Sequence, residues 1–222
     1  MNTRLLGFFS GFPTRHFPAD IVRRLREELT LRESLVFVSA WPSEYEQNDA
    51  DSSGMHGMFV ECGMPFKRYC VIDNRTDAAD AKQLIREASC IFLMGGHATQ
   101  QFRLICKKGI AEEIRNSSAV ILGVSAGSSN MAKRALDIWE SHEPYVGLGL
   151  ADITIKAHVT PDNQELVETL LQISCAHDLP ICAMEDDSAI FVKGDDISYV
   201  GNIRWISKGE IGPFDVERLK GV

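Results

Sequence analysis

The sequence predicts an α/β fold in which helices cover both faces of a mainly parallel β-sheet, with antiparallel hairpins near the C-terminus. Three observations predict it. Short apolar runs alternate with longer stretches of helical periodicity through the first two thirds of the chain, which is the order of β-α-β units. The runs are almost wholly apolar, as expected of strands that are buried on both faces. Close to the C-terminus, short runs are separated by turn residues, which is typical of hairpins.

The first part of the chain contains five predicted strands, each of them an apolar run, at 5–9, 35–39, 66–72, 90–94 and 119–124. Five predicted helices alternate with them, at 18–29, 43–62, 78–88, 99–107 and 126–135. The first helix places Ile21 and Leu25 on one face, with charged residues opposite. The second is a poorer helix because Gly54 and Gly57 interrupt it. Asp77 is placed to cap the third.

The later part of the chain is predicted to contain a strand at 153–159 and a helix at 163–176, which carries Leu166, Leu170 and Ile173 at helical spacing. Four short runs follow, at 180–184, 188–193, 197–200 and 203–207. Turn residues at 194–196 and 201–202 separate the last three, so we expect antiparallel hairpins there. Since the sequence contains no repeat, low-complexity tract or linker, we expect residues 1–222 to form a single domain.

Composition and charge exclude several classes of protein. The chain of 222 residues carries a formal net charge of -8, which argues against nucleic acid or an anionic membrane as a partner. It contains no apolar run of transmembrane length, and its first residues predict a strand rather than a signal peptide. Six cysteines without a C-x-x-C pair predict buried, reduced thiols in a cytoplasmic protein. They are Cys62, Cys70, Cys90, Cys106, Cys175 and Cys182.

The segment around Ser125 carries the clearest functional signal. An apolar strand runs into Gly123-Val124-Ser125-Ala126-Gly127 and a helix follows, which is the context in which a G-x-S-x-G pattern predicts a nucleophile. A serine at the tip of such a turn has a strained backbone, and glycines two residues before and after it relieve the crowding. The following helix would direct the Ala126 N–H toward an oxyanion. A glycine- and serine-rich turn without chemistry is the alternative.

A second glycine turn, Gly95-Gly96, ends the strand one β-α unit earlier. Two glycines at the carboxyl end of a parallel strand allow a ligand to approach the backbone closely. We therefore expect the Gly96 N–H to be the second oxyanion donor and the neighbouring His97 to contact substrate. A tight turn that needs a positive φ is the alternative, and the two are compatible.

A serine nucleophile of ordinary pKa needs a general base, and six histidines are available. His158 follows the apolar segment 153–157, close to the end of the predicted strand, so it is the candidate base, with a structural histidine as the alternative. The orienting carboxylate is expected in Glu185-Asp186-Asp187, which lies between two apolar runs. Three adjacent acids also fit a solvated loop, so the residues alone leave this assignment open.

Taken together, these motifs resemble peptidase family S51, the family of dipeptidase E and cyanophycinase. Gly123-Val124-Ser125-Ala126-Gly127 resembles its G-x-S-A-G turn, and 92–96 resembles the strand that leads to its G-G-N-T turn. His158 is similar to its histidine, and 185–190 resembles its D-E-x-T-A-[LI] segment, with Asp186 in the acidic position. The resemblance covers most of the chain. It implies a flavodoxin-like three-layer sandwich related to class I glutamine amidotransferases.

The resemblance also implies a Ser125-His158-Asp186 triad that cleaves small peptides, often at an acidic residue, without a metal or cofactor. This chain departs from the family at two positions. His97 stands where the family has asparagine, and Asp186 is one methylene shorter than the family's glutamate, so Glu185 is an alternative acid. The order Ser125, His158, Asp186 differs from that of α/β hydrolases, in which the acid precedes the histidine.

Two other functions remain as alternatives. One is another acyl hydrolase, an esterase or amidase, that uses the same site. The other is a non-catalytic binding protein that keeps the scaffold. Arg103, Arg134 and Arg204 are candidates for binding a substrate carboxylate, although single arginines are more often solvated. The sequence leaves the oligomeric state open, and a homodimer is one of the alternatives.

Overall fold

In the computed structural model, which describes residues 4–219, a seven-stranded sheet lies between two layers of helices. The strands are β1 Leu6–Phe9, β2 Ser34–Ala40, β3 Arg68–Ile72, β4 Cys90–Gly96, β5 Val120–Val124, β6 Arg134–Asp137, β7 Ser141–Val146, β8 Ile155–Lys156, β9 Ile181–Met184, β10 Ala189–Lys193, β11 Asp196–Val200, β12 Ile203–Ser207 and β13 Glu210–Pro213. The helices are α1 Ala19–Glu28, α2 Tyr45–Glu61, α3 Ala78–Glu87, α4 Ala98–Lys108, α5 Ala111–Asn116, α6 Ala126–Met131 and α7 Gln164–His177, and a 3₁₀ helix spans Val216–Leu219.

The central sheet has the strand order β11-β10-β1-β5-β4-β2-β3. β1 to β5 are parallel, whereas β10 is antiparallel to β1, and β11 is antiparallel to β10. The predicted α/β fold with a mainly parallel sheet is therefore confirmed. Since β1, β4 and β5 are adjacent and parallel, their carboxyl ends meet at one edge of the sheet, where parallel sheets hold their ligands.

Both faces of the central sheet are buried, as the apolar strands predicted. Along β2, Val36 and Val38 pack into one apolar cluster, and Leu35 and Phe37 pack into the other. The first cluster contains side chains from α3 to α6, and the second contains side chains from α1 and α2. This alternation follows from the two-residue period of a strand. It fixes the carboxyl edge of the sheet between two packed layers.

The C-terminal hairpins differ from the prediction in one respect. β10 and β11 form the expected hairpin, but β12 leaves the central sheet and pairs with β9 and β13 in a second sheet of order β13-β12-β9-β8. The turn between β11 and β12 contains Gly201, which has a φ of +80°. A Cβ added there would lie 2.6 Å from Ser188 Oγ. The chain therefore turns closely over Ser188 and away from β11. α7 covers the second sheet through Leu170 and Ile173.

The predicted helix at 126–135 is wrong in its second half. α6 ends at Met131, and β6 then pairs with β7 in a hairpin that the sequence analysis did not predict. The buried Ala135 and Leu136 fit a continued helix as well as a strand, but Gly147 of the returning chain passes Ala132 so closely that a Cβ would lie 2.3 Å from its carbonyl oxygen. The strand predicted at 153–159 shortens to Ile155–Lys156, and α5 and β13 are additional elements.

The cysteines form no disulfide among residues 4–219, and all six lie in that range. Cys90 and Cys182 are buried, and their burial raises the pKa of both thiols. The prediction of buried thiols is wrong for Cys106 and Cys175, which are exposed on α4 and α7. No helix within the described range is long and apolar enough to cross a membrane.

Candidate active site

Ser125 lies in a sharp turn between β5 and α6, at the carboxyl edge of the central sheet. Its φ of 50° and ψ of -108° are unusual for a residue other than glycine. A Cβ on Gly127 would lie 2.0 Å from the carbonyl oxygen of Leu93, and one on Gly123 would lie 2.7 Å from Ser128 N. Both glycines are therefore needed because α6 packs directly against the backbone of the sheet.

Hydrogen bonds to β1 hold this turn in place. Ser125 N–H donates to the carbonyl oxygen of Phe9 at 2.9 Å. The buried Ser128 Oγ lies 2.8 Å from the same oxygen and 2.7 Å from the carbonyl oxygen of Gly123. Since the Ser125 N–H already has this partner, the backbone donor that follows it is that of Ala126, the first residue of α6.

The structure brings the three predicted residues of the triad together from three separate segments. His158 Nε2 lies 3.0 Å from Ser125 Oγ, and His158 Nδ1 lies 2.6 Å from Asp186 Oδ1. His158 follows β8, and Asp186 lies in the turn between β9 and β10. The predicted alternative acid, Glu185, is directed elsewhere, and its Oε2 accepts from Asn202 Nδ2 at 3.2 Å.

Two residues that the sequence analysis did not identify support this arrangement from the end of β1. Ser10 Oγ accepts the backbone N–H of His158 at 2.9 Å. A Cβ on Gly11 would lie 2.5 Å from His158 Cε1 and 2.6 Å from Asp186 Oδ1, so only glycine fits against the pair. The sequence signal for these two residues was a Ser-Gly pair directly after an apolar strand. Small residues also follow the strands that end near Gly96 and Ser125.

Gly95 and Gly96 lie beside Ser125 at the end of β4. A Cβ on Gly95 would be 3.7 Å from Ser125 Cβ. Gly96 has φ +135, and a Cβ there would be 2.4 Å from Trp41 Nε1, so the position requires glycine for both backbone and packing reasons. The backbone of the predicted oxyanion donor is thus placed next to the candidate nucleophile.

His97 stands at the N-terminal end of α4, and its side chain joins a polar network rather than lining the space over Ser125. Its Nδ1 lies 3.0 Å from Asp137 Oδ2, and its ring packs edge-on against Trp41 and Trp139. Asp137 accepts the Thr99 N–H at 2.9 Å as well. His97 therefore holds the β6–β7 hairpin against α4, and Asp137 and Trp139 of that hairpin face the site.

His97, Asp137 and Glu140 are also the described residues best placed to hold a metal ion, since their ligand atoms lie within 4.8 Å of one another. These atoms already have protein partners. Glu140 pairs with Arg103 at 2.6 Å and accepts from Thr99, which lowers the pKa of its carboxyl. The arrangement is complete as a hydrogen-bonded network.

A cleft opens over Ser125 between α6, the β6–β7 hairpin and β8. The residues that line it are Gly96, Ala98, Ser125, Ala126, Ser129, Leu136, Asp137, Ile138, Trp139, Lys156, Ala157 and His158. Lys156 is the last residue of β8 and lines the cleft together with His158, two residues further on. Burial lowers the pKa of its ammonium, and the charge of Asp137 opposes this effect. Within residues 4–219, Lys156 makes no hydrogen bond or ion pair.

The three arginines proposed from the sequence lie outside this cleft. Arg103 pairs with Glu140, Arg134 donates to the carbonyl oxygen of His177 at 3.1 Å, and Arg204 lies in β12. The cation that faces Ser125 is Lys156, which the sequence analysis did not identify.

Comparison with known proteins gives a family and a fold. Residues 50–200 match the family model of peptidase family S51, and this range contains Ser125, His158 and Asp186. A comparison with curated proteins gave no match. A peptidase from an acI-B1 Actinobacterium has a similar structure, with a TM-score of 0.70 and 16% sequence identity over 96% of this chain and 97% of that one. A putative peptidase E protein from Listeria monocytogenes EGD-e has a TM-score of 0.67 and 16% identity over 89% of this chain and 98% of that one.

Proposed function

The chain belongs to peptidase family S51 and is a serine-type peptidase, and we propose that it hydrolyses small peptides with Ser125, His158 and Asp186 as its catalytic triad. One observation carries the assignment of the residues. Two consecutive hydrogen bonds, of 3.0 and 2.6 Å, connect Ser125 Oγ to His158 and His158 to Asp186. This is the relation among nucleophile, base and orienting acid that defines such a triad.

In this mechanism, Asp186 accepts a hydrogen bond from the Nδ1–H of His158, which leaves the lone pair of Nε2 directed at Ser125. Ser125 Oγ attacks the carbonyl carbon of the scissile bond while His158 Nε2 takes the hydroxyl proton. The positive charge that forms on the imidazole is stabilised by the Asp186 carboxylate. His158 then gives the proton to the leaving amine, and the acyl group remains as an ester on Ser125 Oγ. In the second half, His158 takes a proton from the water that attacks this ester and returns it to Ser125 Oγ as the acid product leaves.

The tetrahedral intermediate carries a negative oxygen, and backbone N–H groups of Gly96 and Ala126 are the proposed donors to it. The placement of Gly95-Gly96 beside Ser125 and the start of α6 at Ala126 support this assignment. Because the Ser125 N–H is already bonded to Phe9, it is not a donor in this scheme. Loss of one such donor typically costs about 10²–10³-fold in kcat.

The positive charge in the cleft favours substrates that carry a carboxylate near the scissile bond. Lys156 is half-buried and makes no hydrogen bond in the described part of the chain, and it faces the same space as Ser125. Partial burial of this ammonium is costly, and a carboxylate on a ligand would offset that cost in addition to the charge of Asp137. Asp137 accepts the backbone N–H groups of Thr99 and Trp139, so its oxygens are engaged. An acidic side chain or a terminal carboxylate of a peptide would satisfy Lys156.

The test is hydrolysis of a dipeptide panel by the parent protein and by Ser125→Ala. We expect the parent to cleave dipeptides that contain Asp or Glu, with higher kcat/KM than for p-nitrophenyl acetate. Ser125→Ala is expected to lower kcat by about 10⁴–10⁶-fold. A fluorophosphonate probe should label the parent at Ser125 and leave Ser125→Ala unlabelled. Full peptidase activity in Ser125→Ala would contradict the proposal, and an ester preference would favour the other acyl hydrolase.

A further inference from the structure

A second cavity lies on the other flank of Ser125 and plays no part in the mechanism above. Its volume is about 290 Å³, and its wall includes Gly95 and Val124. Val124 directly precedes Ser125, and a Cβ on Gly95 would lie 3.7 Å from Ser125 Cβ. The cavity shares no lining residue with the cleft that contains Lys156. Ser125 therefore lines the cleft, and residues in contact with it line the second space.

This second space, the apolar cavity, differs in chemistry from the cleft. Six large apolar side chains line it, namely Phe12, Phe37, Met55, Met58, Phe92 and Met94. Its charged members are Arg15 and Asp51, both of them exposed. For comparison, an engineered apolar cavity of about 150 Å³ is large enough to bind benzene. A cavity of this size and lining fits an aromatic or long aliphatic side chain, and methionines adapt to such ligands because they are flexible.

One face of α2 forms a wall of the apolar cavity. Asp51, Gly54, Met55 and Met58 all line it, and their spacing of three, four and seven residues is that of a single helix face. Glycine is unfavourable in the middle of a helix by roughly 0.5–1 kcal/mol relative to alanine. An added Cβ on Gly54 would meet no atom within 4 Å. No packing contact accounts for this glycine, and a larger residue there would project into space that the cavity occupies.

We propose that the apolar cavity binds a large apolar side chain of the substrate, that of phenylalanine, leucine or methionine. The proposal rests on the proposed function, since it places this side chain across the scissile bond from the residue whose carboxylate Lys156 binds. Successive side chains of an extended peptide point in opposite directions. A peptide that presents its scissile bond to Ser125 therefore directs one neighbouring side chain to each flank. The substrate class is a small peptide with one acidic and one large apolar residue.

The first test compares kcat/KM for pairs of dipeptides that differ only in the apolar side chain. Asp-Phe is compared with Asp-Ala, and Phe-Asp with Ala-Asp, which covers both orders of the two residues. In the order that the enzyme uses, we expect at least a tenfold preference for phenylalanine, the effect of transferring a large apolar side chain from water to an apolar site. Equal kcat/KM values within both pairs would overturn this inference, while cleavage abolished by Ser125→Ala would leave the proposed function intact.

A matched pair of variants tests the location. Gly54→Leu places a side chain in the apolar cavity and is expected to bring the ratio of the phenylalanine to the alanine substrate close to one. Gly57→Leu is the control, because Gly57 lies in the same helix, has open space around an added Cβ and does not line the cavity. It is expected to keep the parent's ratio. An unchanged ratio in Gly54→Leu, or an equal loss in both variants, would overturn the inference.

A binding measurement keeps the proposal testable without turnover. Ser125→Ala protein labelled with ¹³C at its methionine methyl groups is titrated with Asp-Phe and Phe-Asp, and then with the alanine dipeptides. Met55, Met58 and Met94 line the cavity, whereas Met64, Met131 and Met184 do not. We expect a phenylalanine peptide to shift the first three methyl resonances, and the alanine peptides to shift them much less. If these methyl resonances do not shift when the peptide is saturating, or at its highest soluble concentration, the inference is overturned.

Discussion

The hydroxyl oxygen of Ser10 accepts the backbone N–H of His158 at 2.9 Å, from a side chain with no exposed surface. The same oxygen lies 3.2 Å from the carbonyl oxygen of Met184 and 3.4 Å from Asp186 Oδ1, and either of these can accept a hydrogen bond from the hydroxyl group. His158 itself has a φ of 59°, a conformation that a residue other than glycine keeps only when its surroundings hold it. One hydroxyl at the end of β1 therefore holds the backbone of the proposed base next to the proposed acid.

Ser10→Ala is expected to weaken both stability and catalysis. The variant leaves the His158 N–H without its buried acceptor, which costs about 1–3 kcal/mol of unfolding free energy. It also frees the backbone that directs the imidazole, and a misplacement of about 1 Å can cost on the order of 100-fold in rate. We expect kcat to fall by roughly 10- to 100-fold, with little change in KM. Urea unfolding and Michaelis kinetics on a cleaved dipeptide measure the two effects.

Ser34→Ala is the matched control for this prediction. Ser34 is also a buried serine whose oxygen accepts a backbone N–H, that of Ser89 at 3.3 Å, but it lies at the opposite end of the sheet. Because the Ser89 N–H keeps its 3.0 Å bond to the backbone carbonyl oxygen of Ser34, this variant is expected to lose less stability than Ser10→Ala and to keep the parent's kcat. A Ser10→Ala protein with the parent's kcat, or equal kcat losses in the two variants, would refute a positioning role for Ser10.

Substitution of each candidate acid by its amide separates Asp186 from Glu185. Asp186→Asn removes the carboxylate 2.6 Å from His158 Nδ1 and presents an amide that favours the wrong imidazole tautomer. We expect a loss of about 10⁴-fold in kcat. Glu185→Gln keeps a side chain that can still contact Asn202 and is expected to change kcat by less than about threefold, because surface changes away from a site have small effects. The reverse ranking of the two variants would assign the acid to Glu185.

The turn around Ser125 gives a prediction about folding. Gly127→Ala places a Cβ 2.0 Å from the backbone carbonyl oxygen of Leu93, so the sheet and α6 must separate. We expect a loss of about 3 kcal/mol or more, at or beyond the usual range for overpacking. Gly95→Ala is the comparison, since its Cβ finds ordinary contacts at 3.6 Å or more. In thermal unfolding, Gly127→Ala should melt at a lower temperature than Gly95→Ala, and equal melting temperatures would contradict the prediction.

Much of the fold and part of the site could be predicted because the signals were local. The apolar strands and amphipathic helices specify a covered parallel sheet, and a glycine-flanked serine between a strand and a helix needs only nearby residues to be identified. His158 and Asp186 were ambiguous by themselves. Only the resemblance to a family joined them to Ser125, because their contacts span 28 and 33 residues of sequence.

What the sequence analysis missed depends on contacts between distant segments. Ser10 meets His158 across 148 residues, and nothing near Ser10 in the sequence indicates that partner. Lys156 lies within the predicted strand at 153–159, but a lysine there is ordinarily solvated, and its partial burial depends on the β6–β7 hairpin. The predicted helix at 126–135 extends into the start of that hairpin because Ala135 fits either structure, and close packing of Gly147 against Ala132 decides between them.

Lys156→Met is expected to raise stability and lower activity together. Met keeps the apolar stem and removes a half-buried ammonium that makes no hydrogen bond within residues 4–219, so the melting temperature at pH 7 should rise by a few degrees. Loss of the charged hydrogen bond to a substrate carboxylate should lower kcat/KM for an acidic dipeptide by about 10- to 100-fold. Lys133→Met is the control, since Lys133 is exposed and pairs with Asp152. Lys133→Met is expected neither to raise the melting temperature nor to lower kcat/KM.

The stability gain of Lys156→Met has a pH dependence whose sign follows from the lowered pKa. Burial lowers the pKa of Lys156 below its ordinary value of 10.5, so the folded state releases this proton at lower pH than the unfolded state does. The cost of burying the ammonium is therefore full below the folded pKa and is lost as pH rises to 10.5 and beyond. The difference in unfolding free energy between Lys156→Met and the parent should shrink between pH 7 and pH 10.5 in urea titrations. A difference that grows with pH would mean that the folded protein stabilises the ammonium, and that Lys156 already has its counter-charge without a substrate.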